Sequence, residues 1–484
     1  MNPIDRAIAS ISPRWAFRRA QYRQALSLVG GERRFDGARR DHRTAGWTAT
    51  GASATAEIAS SIKLLRDRSR QLHRDNPYAK RMRGAFTANS VGTGVKPMWD
   101  SPQAQDLWER WSKEADADGL TTLYGLQGLA SSAIYESGEV FARLRPRTAR
   151  DGLVVPLQVQ LLEPDHLDLS KSQQLANGGF ILCGIEFDAI GRRQAFWLWP
   201  EHPGEVASIT RSRWESKRVP ASSVIHLFTR TRPGQQLGVP ELHASMTRMR
   251  DLDEFQDAEL VKQKIAACFA VFLEQSGSPT GLVDDDSTSR SGYDLEQIEP
   301  GMIERLQPGD KPHFSEPNIS TAFAPFSKQY LQGVAVGGFS TYEQASGDLS
   351  EVNYSSIRAG MVEYRAQIEQ WRWATFVPQF CEPIARAFAV YSLSAGLKDL
   401  PKVRDWTPPR LAWVDPAKEV EAEVTAMQYG LKSMRESLRE QGYDPDVVMA
   451  EIAEETKQLA DVGITLPRFE KAKATAKQEQ QANG

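Results

Sequence analysis

From Glu241 to Gln275 the chain runs without a glycine or a proline, directly after Pro240, with Met246, Met249, Leu252, Phe255, Leu260 and Ile265 set among many charges. The run predicts one uninterrupted helix, and at about 1.5 Å per residue it would reach about 50 Å, long for a globular domain. It reads as a strut. Whatever precedes and follows it must be organised around a long rigid rod.

Before the strut the pattern is helical, then strand-rich. Ile58, Ile62, Leu65 and Leu72 share a helical face within a stretch from Ala56 to about Ala88, which Asn76-Pro77 interrupts and restarts. Leu107, Trp108 and Trp111 mark one short helix; Leu126, Leu129, Ile134 and Tyr135 mark another. Val155, Leu157, Val159 and Leu161 then alternate as a half-buried strand does. GFILCGIEFD and RRQAFWLWP, parted by a turn at Ala189 to Gly191, predict the two strands of a hairpin, and SVIHLF a further strand. The aromatic run Phe196 to Trp199 has no interleaved Lys or Arg, so it reads as sheet core rather than a stacking platform.

After the strut, SGSPTGLVDDDSTSRSG breaks the helix, GMIERL predicts a short strand, and a second helix begins near Phe326. ASGDLSEVNYSSIRAGMVEYR (345–365) starts polar and mobile and turns into a helix whose stripe is Ile357, Met361, Tyr364, Ile368 and Trp371. Asn353, Ser355 and Ser356 are candidate N-caps, and Pro378 should stop or kink that helix. Three short helical segments follow at 417–429, 433–440 and 445–459; residues 415–465 hold 12 acidic and 5 basic side chains. The ends, 1–46 and 466–484, read as wholly or partly disordered.

Charge is uneven although the net charge is only -3: residues 1–85 carry 18 Lys and Arg against 7 Asp and Glu, and the remainder is acidic. A basic arm suits phosphate or an acidic partner, whereas an acidic body does not grip nucleic acid by counterion release. The longest apolar run, Ile265 to Leu273, is too short for a membrane span, and the N-terminus has no signal-peptide core, so the expectation is a cytosolic chain with no membrane partner. Cys183, Cys268 and Cys381 lie apart among apolar neighbours, as buried reduced thiols.

Catalytic motifs are missing. No phosphate-cradling Gly-rich string ends in Lys-Ser/Thr, and there is no H-E-x-x-H, no C-x-x-C pair and no G-x-S-x-G elbow. Glu163, Asp165, His166 and Asp168, just after a strand, offer oxygen and imidazole ligands for a divalent cation, but acidic residues around Pro164 also suit a strand-ending turn. Asp284, Asp285 and Asp286 allow the same two readings, and His226, inside an apolar strand, reads as a satisfied core residue. No cofactor, metal or catalytic residue is expected.

Seven strings carry a resemblance: RDNPYAKRMRGAFTANSVGTGV (74–95), YESGEVFAR (135–143), VQLLEPDHLD (159–168), VIHLFTRTRPGQQLGVPEL (224–242), IEPGMIERLQPGD (298–310), GDLSEVNYSSIRAGMVEYR (347–365) and WVDPAKEVEAEV (413–424). In their order and spacing the chain resembles the lambda-type portal proteins of tailed bacteriophages. One departure is Leu237, where the family string carries Arg.

The resemblance implies an α+β portal fold in a ring, dodecameric in the family, at one capsid vertex of the virion after assembly in the host cytoplasm. That ring would conduct double-stranded DNA and dock the large terminase subunit, a head-completion or adaptor protein, and major capsid and scaffold proteins. It further implies a basic arm (1–46), a wing (47–240), a stem helix (241–275), a clip (276–325) and a return stem helix (326–336). A tunnel loop (337–354), a long helix with wing connector (355–414), a crown (415–465) and a tail (466–484) complete the chain. Gln344, Ser346, Asp348, Ser350, Glu351 and Asn353 would line the channel; Asp284, Asp285, Asp286, Arg290, Glu304 and Arg305 would face terminase or adaptor. Two alternatives stay open: a metal-dependent nuclease or phosphotransferase built on Asp165, His166 and Asp168, and a nucleic-acid-binding scaffold using the basic arm.

Overall fold

Asn76 shows how local chemistry punctuates this chain. The following Pro77 disfavours helical backbone, so Asn76 adopts φ -98°, ψ 123°; its N–H closes helix α1 (Ala54–Asp75) on the Leu72 carbonyl, and its side-chain oxygen accepts from Ala79 N–H at 2.9 Å to open α2 (Pro77–Ser90). The expected break is therefore a double cap. The computed structural model describes residues 42, 45–46, 48–205, 215–267, 271–274, 303–306, 323–410 and 415–464. The chain divides into units 1–52 and 53–484, and the fold described is that of the second.

Strand β1 (Lys96–Trp99), helix α3 (Pro102–Ser112) and helix α4 (Leu123–Ser137) follow. Gly138, at φ +86°, ends α4 where a Cβ would lie 2.3 Å from the Val239 backbone. Strand β2 (Glu139–Pro146) is the centre of a three-stranded antiparallel sheet, between β3 (Leu157–Leu162) and a later strand. A five-stranded meander comprises β4 (Gln173–Gln174), β5 (Phe180–Leu182), β6 (Ile185–Phe187), β7 (Arg193–Leu198) and β8 (Lys217–Pro220). β9 (Val224–Phe228) then completes the first sheet against β2. The hairpin expected at Ala189 to Gly191 is β6–β7, but GFILCGIEFD is itself a second hairpin, not one strand. Cys183 and Gly184 both take positive φ, 50° and 78°, which is the two-residue turn that joins tightly paired strands.

The strut is shorter than its sequence suggests. A 3₁₀ turn (Glu241–Ala244) precedes α5 (Met246–Ala267), and Val271–Glu274 is not helix but strand β10, paired in parallel with β11 (Ile303–Leu306). β-branched Val271, aromatic Phe272 and Leu273 take the extended form because β11 supplies a partner from far along the chain, which no local propensity can reveal.

The remaining elements are α6 (Phe323–Gly337), α7 (Tyr342–Ser346), α8 (Tyr354–Trp371), α9 (Glu382–Ser392), β12 (Val403–Thr407), α10 (Pro416–Gln428), α11 (Met434–Glu440) and α12 (Pro445–Asp461). Pro378 neither stops nor ends the long helix. A π-helical stretch, Arg372–Cys381, widens the turn around it and passes the chain on to α9. Tyr364, Ile368 and Trp371 of the expected stripe are buried, as are Cys183 and Cys381. β12 returns to pair with β1. No described helix is long and apolar enough to cross a membrane.

Two apolar cores hold the unit. The larger is centred on Trp108, whose ring lies 5.4 Å from Trp99, 5.0 Å from Trp111 and 4.9 Å from Phe388; the smaller joins Phe141, Phe196, Leu198, Val219 and Leu237. Leu237 is fully buried there, so no arginine contact is made at that position. Between the cores runs a buried polar chain. Arg66 of α1 pairs with Glu139, whose second oxygen accepts from Gly238 N–H at 2.8 Å and from His226 Nε2–H at 2.8 Å; His226 Nδ1 accepts from Arg193 at 3.2 Å. Burial raises the Glu139 carboxyl, yet Arg66 and His226 hold it below its ordinary value, while burial pushes His226 down. His226 is the satisfied core residue expected.

Candidate functional site

Residues 337–354 carry the candidate site, and the sequence makes them less mobile than their composition suggests. Thr341 and Gln344 form a capping box: Gln344 N–H donates to Thr341 Oγ1 at 3.3 Å, and Thr341 N–H to Gln344 Oε1 at 3.2 Å. This nucleates α7, and fully buried Ala345 seats it in the large core. Upstream, Phe339 takes φ +52° and packs 5.8 Å from Phe86 and 6.1 Å from Tyr364, while Tyr135 donates to the Gly338 carbonyl at 2.5 Å.

Beyond α7 the chain emerges. Gly347, φ +76°, ends the helix with the Arg81 guanidinium 3.1 Å from where a Cβ would be, and Arg81 Nε donates to the Gln344 carbonyl at 2.8 Å. Asp348 accepts from the Ser350 amide at 2.9 Å and its hydroxyl at 2.6 Å, which hold its carboxyl below the usual range with help from Lys328. Glu351 pairs with Lys328 of α6, raising that ammonium's pKa. Asn353, rather than Ser355 or Ser356, caps α8 by accepting from Ser356 N–H at 2.9 Å. Gly347, Leu349, Ser350, Glu351 and Asn353 are exposed.

The six loop residues thus divide. Gln344 and Ser346 belong to the anchored α7, Ser346 donating to the Tyr342 carbonyl at 2.8 Å, whereas Asp348, Ser350, Glu351 and Asn353 form the projecting tip. The capping box was legible in the sequence as T-x-x-Q. The parts played by Arg81 and Lys328 were not, because both reach the loop from other elements. Asp284, Asp285, Asp286 and Arg290 lie outside the described residues, as do 1–41 and 465–484; Glu304 and Arg305 sit on β11, opposite Phe272 and Leu273.

Asp165, His166 and Asp168 do not converge. Asp165 accepts from Arg70 at 2.5 Å, His166 Nδ1 donates to the Trp199 carbonyl at 3.1 Å, and Asp168 accepts from the Ser170 and Ser216 hydroxyls, each at 2.6 Å. The trio weighed as an alternative for metal chemistry is split: Asp165 and His166 are successive residues of a 3₁₀ turn, Asp168 lies beyond it, and the three face different neighbours. Among the described residues the group that could share a cation is Glu163, Asp165 and His202, and Arg70 already supplies a positive charge to both carboxylates. Burial raises the Asp165 carboxyl, but Arg70 brings it below its ordinary value.

A family model described as phage portal protein, lambda family, matches residues 40–372. The chain belongs to that family. A probable portal protein of Halomonas phage phiHAP-1 is 28% identical over 468 residues, covering 90% of this chain and 88% of the relative. Portal protein B of Escherichia phage lambda is 20% identical over 481 residues, covering 87% and 89%. Among solved structures, a chain in the virion of a native gene transfer agent particle matches with TM-score 0.43 and 13% identity over 82% of this chain and 97% of its own. As a phage portal protein the chain is a structural component of the head-to-tail connector, not an enzyme. Its mixed helix-and-sheet architecture accords with the α+β expectation.

Proposed function

We propose that the chain assembles into a ring, dodecameric as in the portal resemblance, at one capsid vertex, and that double-stranded DNA passes along its axis during packaging and ejection. The observation that carries this reading is the tip 347–353: largely exposed, with Asp348, Ser350, Glu351 and Asn353 beside Leu349 and Val352, and fixed at both ends by a buried helical anchor and a capped helix. A wall that touches a sliding polyanion must not hold it, and carboxylates and hydroxyls repel or only weakly bind phosphate where a row of Lys and Arg would grip it. A loop under that load also needs a firm base, which Ala345, Arg81 and the Asn353 cap supply.

In this reading 47–240 is wing and 337–354 the tunnel loop. The stem is 241–267 with 323–336, where Phe255 packs 4.8 Å from Phe326 and Tyr330 donates to Asp251 at 3.2 Å. The β10–β11 pair starts the clip at 271, and 415–464 is crown. The clip docks the large terminase subunit and later the adaptor protein, the wing meets capsid and scaffold proteins, and assembly takes place in the host cytoplasm.

Deleting 348–352 should leave rings visible by negative-stain electron microscopy while cutting the yield of DNA-filled particles in complementation. Rings lost, or full infectious yield with the deletion, would each count against the assignment.

A further inference from the structure

At several places in the described residues the fold balances an arginine with a carboxylate, buried Arg66 with Glu139, half-buried Arg70 with Asp165 and exposed Arg218 with Glu186, although buried Arg372 donates to the Ser90 and Asn89 carbonyls instead. Along β2 it does not. Arg143 and Arg145 lie two residues apart, hence on one face of the strand, with Arg147 next in that series. Arg145 is bonded to the neutral amide oxygen of Gln160, at 2.9 and 2.5 Å, and Arg147 to that of Gln158 at 2.9 Å. None of the three, nor Lys217 on β8, has an ion-pair partner among the described residues. Burial lowers the pKa of Arg143 and Arg145, and the like charges of Arg143 and Arg147 lower Arg145 further, with Asp118 a smaller opposing influence.

Three of these four cations border one cavity. Arg143, Arg145 and Lys217 line a cavity of about 520 Å³ between the two sheets, with Gln160, His166 and Trp199. Its volume lies in the range of small-molecule sites, roughly 300–1,000 Å³. An anion is what the cavity lacks, and a phosphate suits it better than a carboxylate. Its tetrahedral oxygens accept from several guanidinium or ammonium donors at once, and a dianion relieves more of the mutual repulsion than a single negative charge. Trp199 adds an aromatic wall of the kind on which a base stacks.

We propose that this cavity is a binding site for a phosphate-bearing nucleotide, with the phosphate on Arg143, Arg145 and Lys217 and the base against Trp199. A free nucleotide and a single-stranded nucleic-acid segment share that chemistry. The site is independent of the channel loop.

The test is titration of the full-length protein with AMP, a short oligothymidylate and, as an acidic-peptide probe, polyglutamate, read by tryptophan fluorescence or calorimetry. AMP or the oligonucleotide should bind in a salt-dependent way, and Arg143→Gln and Lys217→Gln should each weaken it about tenfold. Tighter binding of the oligonucleotide assigns a strand; equal binding assigns a free nucleotide. Lys217 is exposed at the cavity mouth, so Lys217→Gln carries the test should Arg143→Gln fail to fold. The proposal is overturned if neither phosphate probe binds below millimolar, if binding survives Lys217→Gln unchanged, or if polyglutamate binds more tightly than both.

Discussion

Glu139 and Glu351 are both carboxylates facing a single strong cation, yet they do opposite work. Glu139 is fully buried against Arg66, His226 and the Gly238 amide, in a seam joining helix α1 to both sheets. Glu351 is 73% exposed and meets Lys328 at the edge of the tip. In the seam, removal of one partner strands a charge in a medium that cannot solvate it; at the tip, water takes the vacated place. The body is thus locked by charges that have no alternative, and the tip carries charges that can be rearranged.

Glu139→Ala tests that contrast most severely. It should destabilise the protein by about 3–5 kcal/mol in denaturant unfolding, because Arg66 is left buried and unpaired. A loss below about 1 kcal/mol would erase the distinction between seam and tip.

A pH profile gives the next largest effect. His73, buried on α1 beside Tyr135, has its pKa lowered from 6.5 to about 4, first by burial and then by Arg83. The folded state resists the proton that the unfolded chain accepts. The stability involved is therefore fully present above pH 6.5 and lost as the pH falls towards 4, on the order of 3 kcal/mol. His73→Phe, which keeps an aromatic ring against Tyr135, should flatten unfolding free energy across that window; an unchanged slope would exclude His73 as its source.

Leu237→Arg restores the residue of the family string. Here it should cost about 2 kcal/mol or more, since the position is apolar core and Arg66 and Arg193 already serve the nearby seam. A neutral or stabilising outcome would mean that the seam accepts a third guanidinium. Smaller still, Asn353→Ala should cost about 1 kcal/mol, read as faster amide exchange in the first turn of α8 with the rest of the protein unchanged. Glu351→Gln should leave the melting temperature where it is, and a measurable drop would show that the tip is bound as rigidly as the body.

The same contrast explains what the sequence made legible. The break at Asn76-Pro77 and the three C-terminal helices depend on neighbours within a few residues, and they occur where expected; SVIHLF and GMIERL form strands in keeping with their composition, although their partners β2 and β10 are remote. The face of α1 followed, with Ile62 buried and Ile58, Leu65 and Leu72 packed against the cores, but its polar members did not. Ile58, Ile62, Leu65 and Leu72 mark it in sequence, but the most buried side chains are Ile62, Arg66, Ser69 and His73, because Glu139 lies opposite, 73 residues away from Arg66. Hydrophobic periodicity cannot register a polar stripe whose partner is remote. β10 was hidden for a similar reason: its partner is a strand about thirty residues on. At the candidate site the tip residues came from the family resemblance, whereas Arg81 and Lys328, which pin the tip from other elements, had no signal in the sequence.

The most direct test is a reconstruction of the assembled full-length protein by electron cryomicroscopy, measuring the distance of Ser350 from the symmetry axis. The tip 347–353 should be the narrowest point or next to it, with Asp348 and Ser350 facing the lumen. A ring whose lumen is lined by other residues, with 347–353 on the outer wall, would contradict the account.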